Sequence, residues 1–106
     1  MNFISAKETK ERFDQKHLAL IDIREPYERD ICHIQNSIHV PMGDIEKIKN
    51  EVMKSELETV FICKSGKRAE ATANLVEKEL NIDNINVLEG GIVSWIENID
   101  SSLEIY

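Results

Sequence analysis

At 106 residues the chain is long enough for one domain with a single modest core. Hydrophobic residues make up 42%, normal for a globular protein and too many for a disordered one. A net charge of −7 repels phosphate backbones and argues against nucleic-acid binding, and no apolar run approaches the ~18 residues of a membrane span.

The predicted elements alternate along the chain. Phe3-Ile4 makes a short edge strand. Ser5 and Glu8 then fit a capping box, opening a helix over residues 6–15 with Ala6, Thr9 and Phe13 at helical spacing. Leu18-Ala19-Leu20-Ile21, ending at Asp22, is a continuous apolar run of the kind covered on both faces in a parallel sheet. Residues 24–30 form a short helical turn with Pro26 near its start. Ser37-Ile38-His39-Val40 is a strand stopped by Pro41. Asp44 caps a helix that carries Ile45, Ile48 and Val52 on one face. The run Glu58–Ile62 continues to Cys63 as a strand rich in β-branched and aromatic residues. The longest helix follows over Lys67–Leu80, with Ala69, Thr72, Ala73, Val76 and Leu80 on its apolar face. Asn86-Val87-Leu88 is a fifth strand, Gly90-Gly91 a turn, and Ile92, Val93, Trp95, Ile96 and Ile99 belong to a last short helix. Such alternation with short loops predicts a single α/β domain over residues 1–106, a mainly parallel five-stranded sheet with helices on both faces. Ligands in such sheets bind beyond the carboxyl ends of the strands, where Cys63 sits.

The two cysteines, Cys32 and Cys63, form no C-x-x-C pair. His17, His33 and His39 add no zinc-like spacing, so neither a metal nor any other cofactor is implied. The N-terminus has no basic region followed by an apolar stretch, so a cytoplasmic location is expected, where a structural disulfide is improbable.

The segment that points to chemistry is Cys63-Lys64-Ser65-Gly66-Lys67-Arg68-Ala69. A strand ends at the cysteine and a helix starts about four residues later. A loop curling between them directs backbone N–H groups inward, and the first helical turn adds its unpaired donors. Gly66 permits the tight turn. Lys64, Lys67 and Arg68 add positive potential in an acidic chain. Alone, a strand-ending cysteine is a small buried hydrophobe and a charge cluster a solvated helix end. Together they favour a thiolate, the nucleophilic form of the thiol, and a cradle for an anion. A thiolate attacking a sulfane sulfur needs no histidine base.

In several segments the sequence resembles the rhodanese homology family. Asp22-Ile23-Arg24-Glu25-Pro26 is similar to its Asp-hydrophobic-Arg-Glu-Pro pattern. His33-Ile34 followed by Ser37-Ile38-His39-Val40-Pro41 resembles its His-Ile-Pro-Gly-Ala region. Cys63–Ala69 resembles its active-site loop, and Gly90-Gly91-Ile92-Val93-Ser94-Trp95 its Gly-Gly-x-x-x-Trp segment. Four such matches in order cover nearly the whole chain. The resemblance implies a sulfurtransferase with Cys63 as nucleophile and persulfide carrier, and with Lys64, Ser65, Gly66, Lys67 and Arg68 as the substrate-binding loop. It implies as partners a small anionic donor such as thiosulfate, or a protein persulfide, and a thiol or cyanide acceptor. Asp22 and Arg24 would be architectural, Gly90-Gly91 would let the chain pass close to the active-site helix, and Trp95 would be packing. Two positions depart from the family. Cys32 replaces a glycine before His33-Ile34, and Gln35-Asn36-Ser37 stands where Pro-Gly-Ala is usual. Asn36 tolerates the left-handed conformation of a glycine. Cys32 reads as a packed bystander, with a resolving thiol for the Cys63 persulfide as the sharper alternative. Two other functions compete: a non-catalytic docking or regulatory module, and a phosphatase or arsenate reductase of the same fold. The phosphatases have five residues between cysteine and arginine, whereas four separate Cys63 from Arg68. A phosphate needs the wider ring of donors.

Overall fold

A computed structural model describes residues 1–105. Its elements run β1 (Asn2–Ile4), α1 (Ala6–Asp14), β2 (Leu18–Asp22), α2 (Pro26–Ile31), β3 (Ile38–His39), α3 (Ile45–Lys54), β4 (Glu58–Ile62), α4 (Lys67–Leu80), β5 (Ile85–Leu88) and α5 (Gly91–Asn98). The five strands make one sheet in the order β1-β5-β4-β2-β3, and every pairing is parallel. The expected α/β architecture is therefore present. Among the described residues, no helix is long and apolar enough to cross a membrane.

Alternation along the strands divides the core in two, because successive side chains leave a strand on opposite faces. Leu18, Leu20, Val60, Ile62 and Leu88 face one layer, built with Ala6 of α1 and Ile92, Trp95 and Ile96 of α5. Ile21, Ile23, Phe61, Cys63, Ile85 and Val87 face the other, against Ile48 of α3 and Ala69, Ala73 and Val76 of α4. Burial on both sides explains why β2 and β4 read as unbroken apolar runs. Trp95 is core, as the resemblance implied. Element ends shift slightly from the sequence reading. Pairing of β3 is reduced to two residues, although the Val40 N–H still donates to the Asp22 carbonyl at 3.0 Å.

Topology positions the site. From β2 the chain proceeds to β3 on one side, and from β4 to β5 on the other. The carboxyl ends of β2 and β4 thus form the switch point at which α/β sheets place ligands. Cys63 follows directly on β4, the central strand.

Beside it, β2 ends in a buried ion pair. Arg24 Nη2 lies 2.9 Å from Asp22 Oδ2 and Arg24 Nε 3.0 Å from Asp22 Oδ1, with both side chains sealed from solvent. Arg24 Nη2 also donates to the Cys32 carbonyl at 2.6 Å. Asp22 accepts in addition from Arg29, whose other nitrogen donates to the Ser37 carbonyl. Asn36 takes φ 69°, supplying the left-handed turn expected of it. Asp22 and Arg24 are architectural in the sense the sequence suggested. Replacing Arg24 by Met should cost about 3–5 kcal/mol in urea unfolding, because it leaves the Asp22 carboxylate buried with only a partial partner. A loss below about 1 kcal/mol, the scale of an exposed pair, would show that the pair does not hold this end of the sheet.

Candidate active site

Cys63 is 1% exposed, yet its sulfur is not an apolar packing atom. The Gly66 N–H donates to Cys63 Sγ at 3.0 Å and the Ala69 N–H at 3.4 Å. One donor comes from the loop after β4 and the other from the first turn of α4, where N–H groups have no helical partner of their own. Oriented N–H dipoles at a helix start favour negative charge on the atom they face. Gly66 makes this possible through its left-handed backbone, φ 103° and ψ −16°, a region that costs residues with a Cβ.

The loop is also pinned from behind. The Ile92 N–H donates to the Cys63 carbonyl at 2.8 Å and the Val93 N–H to the Lys64 carbonyl at 3.3 Å. Gly91 lies against both carbonyls. A Cβ there would stand 2.6 Å from the Cys63 oxygen and overlap the Lys64 carbonyl outright, and the residue also takes φ 63°. The close passage expected of Gly90-Gly91 is thus made by Gly91, and it meets the active-site loop rather than the body of α4.

The sequence-predicted loop residues separate into three groups. Lys64 and Ser65 on the loop and Lys67 at the first position of α4 are exposed. Gly66 is buried against the sulfur. Arg68, on the second residue of α4, is half-buried and held by Glu28 of α2: Nη1 lies 2.7 Å from Oε1 and Nη2 2.8 Å from Oε2. Such a fork-to-fork pair is the strongest geometry a guanidinium and a carboxylate adopt. Glu28 is itself 3% exposed, and Oε1 also accepts the Glu25 N–H at 3.0 Å. Hydrogen bonds from Arg68 hold the Glu28 carboxyl below its ordinary range, against the opposing effect of burial. The same bonds raise Arg68.

Two site features were not read from the sequence. The Ala69 N–H was implied only as one of several first-turn donors. Glu28 stands 40 residues from Arg68, and nothing local in either segment announces the pair. Cys32 is buried in the opposite core layer from Cys63, with Sγ 3.7 Å from Arg24 Nη1. The sheet lies between the two thiols, which favours the bystander reading over the resolving one.

Residues 5–98 match the Rhodanese-like domain family, and the chain belongs to that family. It is 36% identical over 93 residues to the putative sulfurtransferase YtwF of Bacillus subtilis, covering 87% of each chain. It is 35% identical over 88 residues to the putative sulfur carrier protein YrkF of the same organism, covering 82% of this chain. The chain spans 47% of YrkF, and about a quarter of the adenylyltransferase and sulfurtransferase MOCS3 of Drosophila persimilis, a further curated relative. Among solved structures, a rhodanese-related protein from Thermoplasma volcanium superposes with a TM-score of 0.79 at 31% identity, covering 93% of this chain and 94% of that one. At family level these relatives support sulfur transfer.

Two predictions test this arrangement. Gly91→Ala should destabilise the fold by about 1–3 kcal/mol and slow modification of Cys63, since a displaced loop carries its N–H donors with it. Unchanged denaturation and unchanged alkylation rates would remove the close approach as a constraint. The second concerns acid. A glutamate in the unfolded chain titrates near ~4.3. The Glu28 carboxyl titrates lower when folded, so its pair adds stability that is complete above the unfolded value and is lost as pH falls through the folded one. Melting temperatures between about pH 6 and about pH 3 should therefore fall more for wild type than for Glu28→Gln. Parallel curves would show that Glu28 carries none of the acid dependence.

Proposed function

We propose that this member of the rhodanese-like domain family transfers a sulfane sulfur through a persulfide on Cys63. The observation that carries the reading is the pair of N–H donors aimed at Sγ at 3.0 and 3.4 Å, at the carboxyl end of the central strand. With thiosulfate, the Cys63 thiolate attacks the outer sulfur. A new S–S bond forms, the S–S bond of the donor breaks, and its electron pair departs on sulfite. Charge is conserved: a thiolate and a dianion become a persulfide anion and sulfite. With a thiol persulfide the thiolate attacks the terminal sulfur in the same way, and the donor leaves as its thiolate. An acceptor thiolate or cyanide then attacks the terminal sulfur and frees Cys63. Of the loop N–H groups of Lys64–Arg68, that of Gly66 is aimed at the sulfur, and together with that of Ala69 it cradles the persulfide charge. The exposed Lys64 and Lys67 attract the anionic donor.

The Arg68–Glu28 pair weighs against the phosphatase reading. A cysteine-dependent phosphatase needs its arginine fork opposite the phosphate, and here both outer nitrogens already hold a carboxylate. The retained cysteine and its donors weigh against a purely docking role.

The test is intact-protein mass spectrometry after brief incubation with thiosulfate or, separately, with cysteine persulfide. Wild type should gain one sulfur atom, removed by cyanide with release of thiocyanate, while Cys63→Ser should gain none. Loading by neither donor would overturn the reading. Loading of Cys63→Ser would transfer the chemistry to Cys32.

A further inference from the structure

Arg68 occupies a costly place. A cation in the first turn of a helix opposes the dipole, so the second residue of α4 gains nothing locally from being arginine. If it served as the anion receptor of the sulfur pocket, its fork would be expected to face Cys63. Instead both outer nitrogens are occupied by a carboxylate that is 3% exposed and anchored by a second bond to the Glu25 N–H. The pair is electrically neutral, and its end-on geometry engages both outer nitrogens with Glu28, so the N–H groups that remain offer a second oxyanion no net charge. What the sulfur meets is then the Gly66 and Ala69 N–H donors, with Lys64 and Lys67 exposed in the flanking segment. The two N–H donors aimed at Sγ suit the one diffuse charge of a thiolate or of the persulfide it forms. They suit a tetrahedral dianion poorly, because its several oxygens each require a donor.

We propose that Glu28 is a specificity-determining positioning residue: by holding Arg68 in a neutral fork it withholds that guanidinium from the donor, and so selects thiol-bound persulfides over dianionic donors such as thiosulfate. This rests on the sulfurtransferase reading and names the donor class for the same Cys63. In the preferred transfer the Cys63 thiolate attacks the terminal sulfur of R–S–SH. The donor S–S bond breaks, its electron pair leaves on R–S⁻, and the proton stays on the transferred sulfur, giving Cys63–S–SH with atoms and charge balanced.

The experiment compares KM for thiosulfate and for cysteine persulfide in wild type, Glu28→Gln, Glu25→Gln and the double variant Glu28→Gln/Arg68→Gln. Glu28→Gln should lower the thiosulfate KM by about threefold or more, the scale of one partly exposed ionic contact, and move the persulfide KM much less. A damaged fold would worsen both donors, so a selective gain has no structural explanation. Glu25→Gln makes the same change in net charge on the exposed neighbouring residue and should leave the ratio alone. The double variant is isoelectric with wild type and should keep the wild-type thiosulfate KM within about twofold. A tenfold rise there would show Arg68 binding the donor directly and would overturn the inference even if Glu28→Gln fails to fold. An unchanged donor ratio in Glu28→Gln, with Cys63 still loaded by both donors, would overturn this inference alone. Absence of loading in wild type would overturn the functional reading and the inference with it.

Discussion

The buried Asp22–Arg24 pair at the carboxyl end of β2 fixes the geometry on which the site depends. Arg24 is held by the Asp22 carboxylate and reaches the carbonyl of Cys32 at 2.6 Å, at the far end of α2. Its own carbonyl accepts from Nε2 of His39, the last residue of β3, at 2.8 Å. Asp22 in turn engages Arg29, which grips Ser37. One ion pair therefore ties β2, α2 and the entry to β3 into a unit. An arginine suits this position because it stays charged when buried and its fork reaches several acceptors at once. Burying the pair gives little net stability over an apolar substitute, whereas breaking it leaves a charge without a partner. Its role is thus to fix geometry.

The fixed geometry passes to the Cys63 side of the sheet through Glu28. That residue lies on the helix the pair anchors, and its carboxylate crosses to Arg68 at the start of α4. The first turn of α4 supplies the Ala69 N–H to the sulfur. The chain of contact runs from a buried pair in one core layer, through α2, to the donors over a cysteine in the other. On the opposite flank the loop is fixed by steric constraint, since only a residue without a Cβ fits against the Cys63 and Lys64 carbonyls at Gly91. Electrostatic anchoring on one side and close packing on the other leave the loop little freedom to widen, which fits a site for a single sulfur.

Much of this is legible in the sequence, for reasons that differ by element. The bounds of α4 follow from its 3.6-residue apolar face and from Gly66 before it. The apolar runs in β2 and β4 declare strands buried on both faces, and Asn36 declares a left-handed turn. Cys63 is readable because its donors are local: the glycine and the helix start both follow within six residues. The Glu28–Arg68 pair is not readable. Residues 40 apart meet only because the parallel topology brings α2 and α4 to the same end of the sheet, and composition or period carries no trace of that. The sequence treats Lys64, Lys67 and Arg68 as one basic cluster, because adjacency is all it records.

That cluster behaves as two kinds of charge. Lys64 on the loop and Lys67 at the start of α4 remain exposed, where an ammonium acts at a distance as a point charge and raises the local concentration of anions. Arg68 has exchanged long-range attraction for a fixed contact. A neutral fork adds little to the potential that draws an anion in, but it holds the helix start in register with the sulfur. Positive charge at a helix N-terminus opposes the dipole, and pairing Arg68 with Glu28 removes most of that conflict. Charge exposed to solvent and contact made in the interior are thus separate in this segment. The first rests on exposed lysines and is weakened by salt, and the second rests on buried N–H groups that salt screens far less.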